Sequence, residues 1–269
     1  MEKKSGSFFA GLAASGVLTS GLRLVTKAAF DRTNHGLRKG VMLFLSISIC
    51  IEFLCVIVYS FLFGKLPIVQ YFRRKAASEG CSTVFADLAA AGISTPTSQD
   101  YSREDRLSNK QLLIRNVDYA VGLFLTNALT LSIFPGFLYE NTGSTHKLGS
   151  WYAIVLVAVY NIWNLISRYI PLIRWLKLES RIGIMAATLS RFALIPAFYF
   201  TAKYGGQGWM IFLVSFLGLT NGYLTICILS MAPKGFRAPE QNALGNLLVL
   251  FILSGILSGV ALDWLWTIT

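Results

Sequence analysis

Residues 151–171 read WYAIVLVAVYNIWNLISRYIP, and the one formal charge among them is Arg168. A helix crosses the roughly 30 Å hydrocarbon core of a bilayer with about 20 mostly apolar residues, and this run is long and apolar enough to do so. Six more stretches meet the same requirement: 6–30, 41–63, 117–138, 183–201, 208–231 and 243–266. The expected fold class is therefore all-α, a polytopic membrane protein with seven transmembrane helices. The span at 6–30 is the least apolar, because Arg23 and Lys27 occupy its last two turns, from which long basic side chains can snorkel to an interface.

The whole composition agrees with this reading. Of the 269 residues 54% are hydrophobic and only 14% charged, where a soluble domain carries about 25% charged residues. The net charge of +11 would suit nucleic acid in a soluble protein, but in a chain this apolar the basic residues report orientation instead. Outside the spans, fifteen Lys and Arg fall on the side of Lys3, Lys4 and the 64–115, 172–182 and 232–242 loops, against five on the other side. The positive-inside rule then puts the N-terminus in the cytoplasm, and seven spans carry the C-terminus outside. The domain reading follows: two helices over 1–63, a cytoplasmic connector over 64–115, and a five-helix bundle over 116–269. The connector holds Arg73-Arg74-Lys75, a Ser94-to-Ser98 stretch of Ser, Thr and Pro, and a mixed-charge run from Arg103 to Arg106, a composition expected to be poorly ordered.

Polar side chains inside the spans need a reason, since an Arg at a helix centre costs about 2.5–3.5 kcal/mol on insertion scales. Asn161, Asn164 and Arg168 are spaced i, i+3 and i+7, which places them on one helical face. Two amides and a guanidinium suit a hydroxylated solute, and they equally suit hydrogen bonding between helices. Arg191 lies too deep to snorkel and calls for a partner; Glu52, Asp118 and Asp263 are the acids in or near the spans. Thr220-Asn221-Gly222-Tyr223 interrupts another apolar run, Pro135 is expected to kink a helix near its end, and Gly255 and Gly259 form a GxxxG packing motif. Nothing points to an enzyme, a metal or a cofactor: Cys50, Cys55, Cys81 and Cys227 form no CxxC pair, His35 and His146 are isolated, and no GxSxG or P-loop occurs.

Taken together, these motifs resemble those of the equilibrative nucleoside transporters, plant members in particular. Leu129 to Phe137 resembles the family's seventh helix. Tyr160 to Arg168 resembles the eighth-helix signature Phe-Asn-x-x-Asp-x-x-Gly-Arg, Thr220 to Leu224 the tenth-helix Ser-Asn-Gly-Tyr motif, Met231 to Glu240 with Gly245 the loop before the eleventh helix, and Phe8 to Phe30 the fifth helix. The resemblance implies helices five to eleven of an eleven-helix, major-facilitator-like fold, a partial architecture lacking the first four. It further implies movement of nucleosides by alternating access, with Arg168 and Asn164 holding the ribose, Asn161 supporting them and Phe134 gating. No cofactor is implied, and the partners are the nucleoside, the lipid bilayer and either the missing N-terminal helices or a full-length relative. The expected site is the plasma membrane, with the vacuolar membrane as the alternative. Two departures from the signature matter: Asn164 stands where the family has Asp, and Ser167 where it has Gly. The rival reading is a truncated, transport-incompetent membrane protein that assembles with a full-length relative.

The orientation is directly testable. In a cysteine-free background, Lys39→Cys and Ser108→Cys should react with an impermeant maleimide from opposite faces of the membrane; labelling from one face would overturn the topology.

Overall fold

The computed structural model describes residues 2–30, 35–67, 69–71, 73–74, 107–134, 136, 149–204 and 206–268. Most of the connector, together with Pro135, His146 and Cys81, lies outside the described residues. The fold is built of α1 (Glu2–Phe30), α2 (Gly36–Ile57), α3 (Asn109–Arg115), α4 (Val117–Ile133), α5 (Tyr152–Tyr169), α6 (Arg181–Ser190), α7 (Leu194–Tyr204), α8 (Gln207–Met231) and α9 (Ala238–Ile268). A π turn, Val58–Leu62, and a 3₁₀ turn, Phe63–Lys65, extend α2; another 3₁₀ turn, Arg191–Ala193, joins α6 to α7 in one continuous rod.

Five segments are long and apolar enough to cross a membrane: Arg38–Lys65, Tyr152–Leu172, Arg181–Tyr204, Gln207–Met231 and Glu240–Trp264. They coincide with five of the seven stretches read from the sequence. The other two stretches are also helical. Val117–Ile133 is apolar but shorter, and α1 runs 29 residues with its basic pair near the end. The chain is an all-helical integral membrane protein.

The helix ends follow ordinary capping chemistry. Ser108 and Gln111 form a reciprocal capping box that starts α3, and the Ser180 hydroxyl accepts the Gly183 N–H to start α6. At α9, the Glu240 carboxylate accepts the N–H of Arg237 at 3.1 Å and, with its other oxygen, that of Leu107 at 3.2 Å. Residues 107–115, at the end of the connector, are thereby tied to the bundle, with Leu112 fully buried. Lys234 pairs with Glu179 at 2.9 Å and Arg181 with Asp118 at 3.7 Å, so the loops before α6 and α9 and the start of α4 are laced together at one end of the bundle.

Packing rests on two close helix pairs, α4 with α9 and α5 with α8, while α1 lies against α5 and α2 against α1. Lipid is as apolar as leucine, so membrane helices associate by close van der Waals approach rather than by escape from water. The α4–α9 pair shows it: a Cβ at Gly255 would lie 2.5 Å from the Phe124 carbonyl oxygen, and one at Gly259 2.7 Å from that of Ala128. The GxxxG motif is a packing device. Two apolar clusters fill the remaining space, one around Leu156, Val214 and Leu217, the other around Leu123, Ile228 and Leu248.

Gly255→Leu should therefore separate α4 from α9. The expected loss is at least the 1–3 kcal/mol (about) usual for overpacking, read as a lower unfolding midpoint in detergent. An unchanged midpoint would show that the two backbones do not touch there.

Candidate functional site

The polar face predicted on α5 exists, and it serves two neighbours. Ile162, Trp163, Ile166 and Tyr169 are exposed on the outer side, while Asn161, Asn164 and Arg168 turn inward. Asn161 is directed at α1: its Nδ2 donates to Ser20 Oγ at 2.6 Å, and Gly16 leaves room for its Oδ1. Asn164 is directed at α8 and is 8% exposed. Its carbonyl oxygen would lie 2.5 Å from a Cβ at Gly222, so only glycine allows this approach. Ser167, at the signature's Gly position, is fully buried; its hydroxyl donates to the Asn164 carbonyl at 2.9 Å and occupies the space that Gly222 leaves vacant. Asn164 Oδ1 is buried and accepts no hydrogen bond. Arg168 follows one turn later, partly buried at the C-terminal end of α5.

Phe134 caps the C-terminus of α4 in an extended conformation, as expected of a residue followed by proline. Its ring stacks on Tyr160 of α5, with centroids 4.2 Å apart and planes inclined by 22°. From Tyr160 a chain of hydrogen bonds crosses the bundle. Asn221 Nδ2 on α8 donates to the Tyr160 hydroxyl at 3.1 Å, and Asn221 Oδ1 lies 3.0 Å from the Thr130 hydroxyl on α4. Thr130 Oγ1 in turn accepts from Arg191 Nη2 at 2.8 Å, and Arg191 Nη1 donates to the Thr126 carbonyl at 3.1 Å. The Thr130 hydroxyl also lies 2.7 Å from the Thr126 carbonyl, so its single proton serves one of two acceptors at a time.

This network answers the question the sequence raised about Arg191. Arg191 is 2% exposed, and its guanidinium is held by a carbonyl and a hydroxyl, not by any of the three acids. Asp118 pairs with Arg181, Asp263 accepts the Gly136 N–H at 3.0 Å, and Glu52 is exposed on α2. Sequence reasoning noted Asn221 and Arg191 as isolated polar residues and left out Thr130 and Tyr160 as partners. Their signal was polarity within apolar runs, but the bonds join four separate segments and carry no spacing in the sequence.

A model of the family described as "Nucleoside transporter" matches residues 2–268. The chain belongs to the nucleoside transporter family. This is a family of transporters and not of enzymes. Among its curated members, "Equilibrative nucleotide transporter 3" of Arabidopsis thaliana is 67% identical over 97% of this chain and 63% of its own length. "Equilibrative nucleotide transporter 5" of the same plant is 65% identical over the same shares, and "Equilibrative nucleotide transporter 2" is 54% identical over 97% of this chain and 64% of its own. The chain thus spans a little under two thirds of the length of the nucleoside transporter relatives it matches.

Removing the hinge of the network should be costly. Thr130→Val keeps the shape but deprives both Arg191 and Asn221 of a partner inside the bundle. Each buried group so stranded costs about 1–3 kcal/mol, so the unfolding midpoint should fall clearly below that of Ser, which keeps the hydroxyl. Equal midpoints for Thr130→Val and Thr130→Ser would show that the network carries no load.

Proposed function

We propose that the chain forms one wall of a path by which nucleosides cross a membrane by alternating access. The observation that supports this most is the polar inner face of α5, built into an apolar bundle whose sequence matches the nucleoside transporter family from end to end. A ribose presents two neighbouring hydroxyls, each able to donate and accept. Arg168 can only donate, and its planar fork suits two adjacent oxygens; the buried Oδ1 of Asn164 has acceptor capacity for a hydroxyl proton. Asn161, bonded to Ser20, acts on this reading as the link that positions α5 against α1. Phe134, stacked on Tyr160 at the end of α4, acts as the gate. An amide at position 164 carries no charge and does not titrate, so any proton coupling would have to use another group.

The same reading takes seven spans, counting α1 and Val117–Ile133 with the five longest, an N-terminus in the cytoplasm and the plasma membrane as the site. A path through the membrane needs a second wall, so transport on this proposal is completed by further membrane helices; the 67%-identical relative matches this chain over only 63% of its own length. The rival reading, a transport-incompetent chain that assembles with a full-length relative, draws on the same length difference.

Nucleoside uptake in transport-deficient cells decides between them. The chain alone should give little saturable uptake, and co-expression with the part of the 67%-identical relative that it lacks should restore it. In that setting Arg168→Ala should lower uptake about tenfold or more, the worth of a charge-assisted hydrogen bond, and Arg168→Lys should recover only part. Asn164→Asp should retain uptake and make it sensitive to pH. Normal uptake by Arg168→Ala at equal surface expression would overturn the ribose-site assignment.

A further inference from the structure

The break at the end of α4 has two fastenings, one on each side of Phe134. Before it, the Phe134 N–H donates to the Thr130 carbonyl at 2.9 Å and closes the last turn of α4. After it, proline supplies no N–H, and the next donor, the Gly136 N–H, goes to the Asp263 carboxylate on α9 at 3.0 Å. Between these two bonds the main chain has few free torsions, because a proline ring fixes its own φ. The direction of the Phe134 ring is thus set from both ends.

Two further observations show that the carboxylate is built into this place. Asp263 follows Gly255 and Gly259 at intervals of four, so all three lie on one face of α9. The two glycines bring α9 against the Phe124 and Ala128 carbonyls of α4, and the same register carries Asp263 to the break. Gly136, for its part, does not have a positive φ, so its backbone conformation does not call for glycine. The carboxylate does: a Cβ at Gly136 would lie 2.6 Å from both Cγ and Oδ1 of Asp263. Asp263 is also the last but one residue of the span Glu240–Trp264, where a carboxylate costs far less than at mid-depth.

We propose that Asp263 is a positioning residue for solute movement, acting through the Gly136 N–H to hold the Phe134 ring against Tyr160. The proposal rests on the reading of Phe134 as the gate. A single hydrogen bond at the end of α9 suits that task, since it is made and broken while the backbone contacts of Gly255 and Gly259 stay closed.

The test uses the full 269-residue chain in lipid nanodiscs, with para-fluorophenylalanine placed at position 134 alone, and reads the ring by fluorine NMR. Tyr160→Leu gives the resonance of a ring with nothing to stack on, and the unmodified chain should stand apart from it. Asp263→Leu should lower the ratio of stacked to unstacked signal about tenfold or more, the worth of a hydrogen bond to a charged acceptor. Asp263→Asn, which keeps an acceptor oxygen, should hold the ratio within about threefold. Gly136→Ala, which displaces the carboxylate without removing it, should move the signal the same way. Combining it with Asp263→Leu should add nothing, as expected of two changes that break one contact.

A signal unmoved by Asp263→Leu, or moved as far by Asp263→Asn, would overturn the proposal, and so would additive effects of Asp263→Leu and Gly136→Ala. A lower unfolding midpoint with the ring still stacked would reduce Asp263 to a fastening of α9 and overturn it as well. Nucleoside uptake by Phe134→Ala in the co-expressed system tests the gate separately. If that variant transports normally while the fluorine signal follows Asp263, the hold on the ring stands and the gate reading fails. If the signal does not follow Asp263, the hold fails whatever the uptake.

Discussion

The approach of α8 to α5 at backbone distance is the constraint on which the interior depends. A Cβ at Gly218 would lie 2.6 Å from the Tyr160 carbonyl oxygen, and one at Gly222 2.5 Å from that of Asn164. With no solvent to drive apolar surfaces together, such contact is what holds two membrane helices in register. That register sets Asn221, the neighbour of Gly222, beside Tyr160 and Thr130, and through Thr130 it reaches Arg191. It also shuts Asn164 and Ser167 away from lipid, leaving the apolar side of α5 to face outward. Side chains larger than glycine at 218 and 222 would disturb the polar network and the candidate site together.

Much of this was legible in the amino-acid order. The apolar runs located the spans, because hydrocarbon thickness fixes helix length. The i, i+3, i+7 spacing placed Asn161, Asn164 and Arg168 on the inner side of α5, and Gly255 and Gly259 announced a close helix contact. What escaped was the choice of neighbour. Asn161 and Asn164 share a face and yet serve different helices, α1 and α8, since a face wide enough to be buried touches more than one partner. Ser20 stands 141 residues from Asn161, and no local pattern encodes that pairing. The preference of Arg191 for Thr126 and Thr130 over an acid was equally hidden: formal charge suggests a carboxylate, but helix packing decided which oxygens lay within reach.

The described ion pairs lie at one end of the fold. Glu179 with Lys234 joins two loops and Asp118 with Arg181 the first turns of α4 and α6, while buried positions use hydroxyls, amides and backbone carbonyls. The division follows the cost of desolvation. Paired charges at a wet interface are cheap to form and to break, whereas a neutral oxygen meeting a donor inside the bundle avoids burying a second ion.

The rod formed by α6 and α7 has a further property. At Arg191–Ala193 the winding tightens to 3₁₀, and Pro196, a few residues on, brings no N–H to the carbonyl one turn before it. A uniform helix twists and tilts as one stiff beam, but here the ladder of bonds is thinned near mid-length. The Arg191 guanidinium spans that weak point to α4, fastening it like a pin through a joint. The backbone bonding of this span is thus weakest at the place where a side chain fastens it to α4.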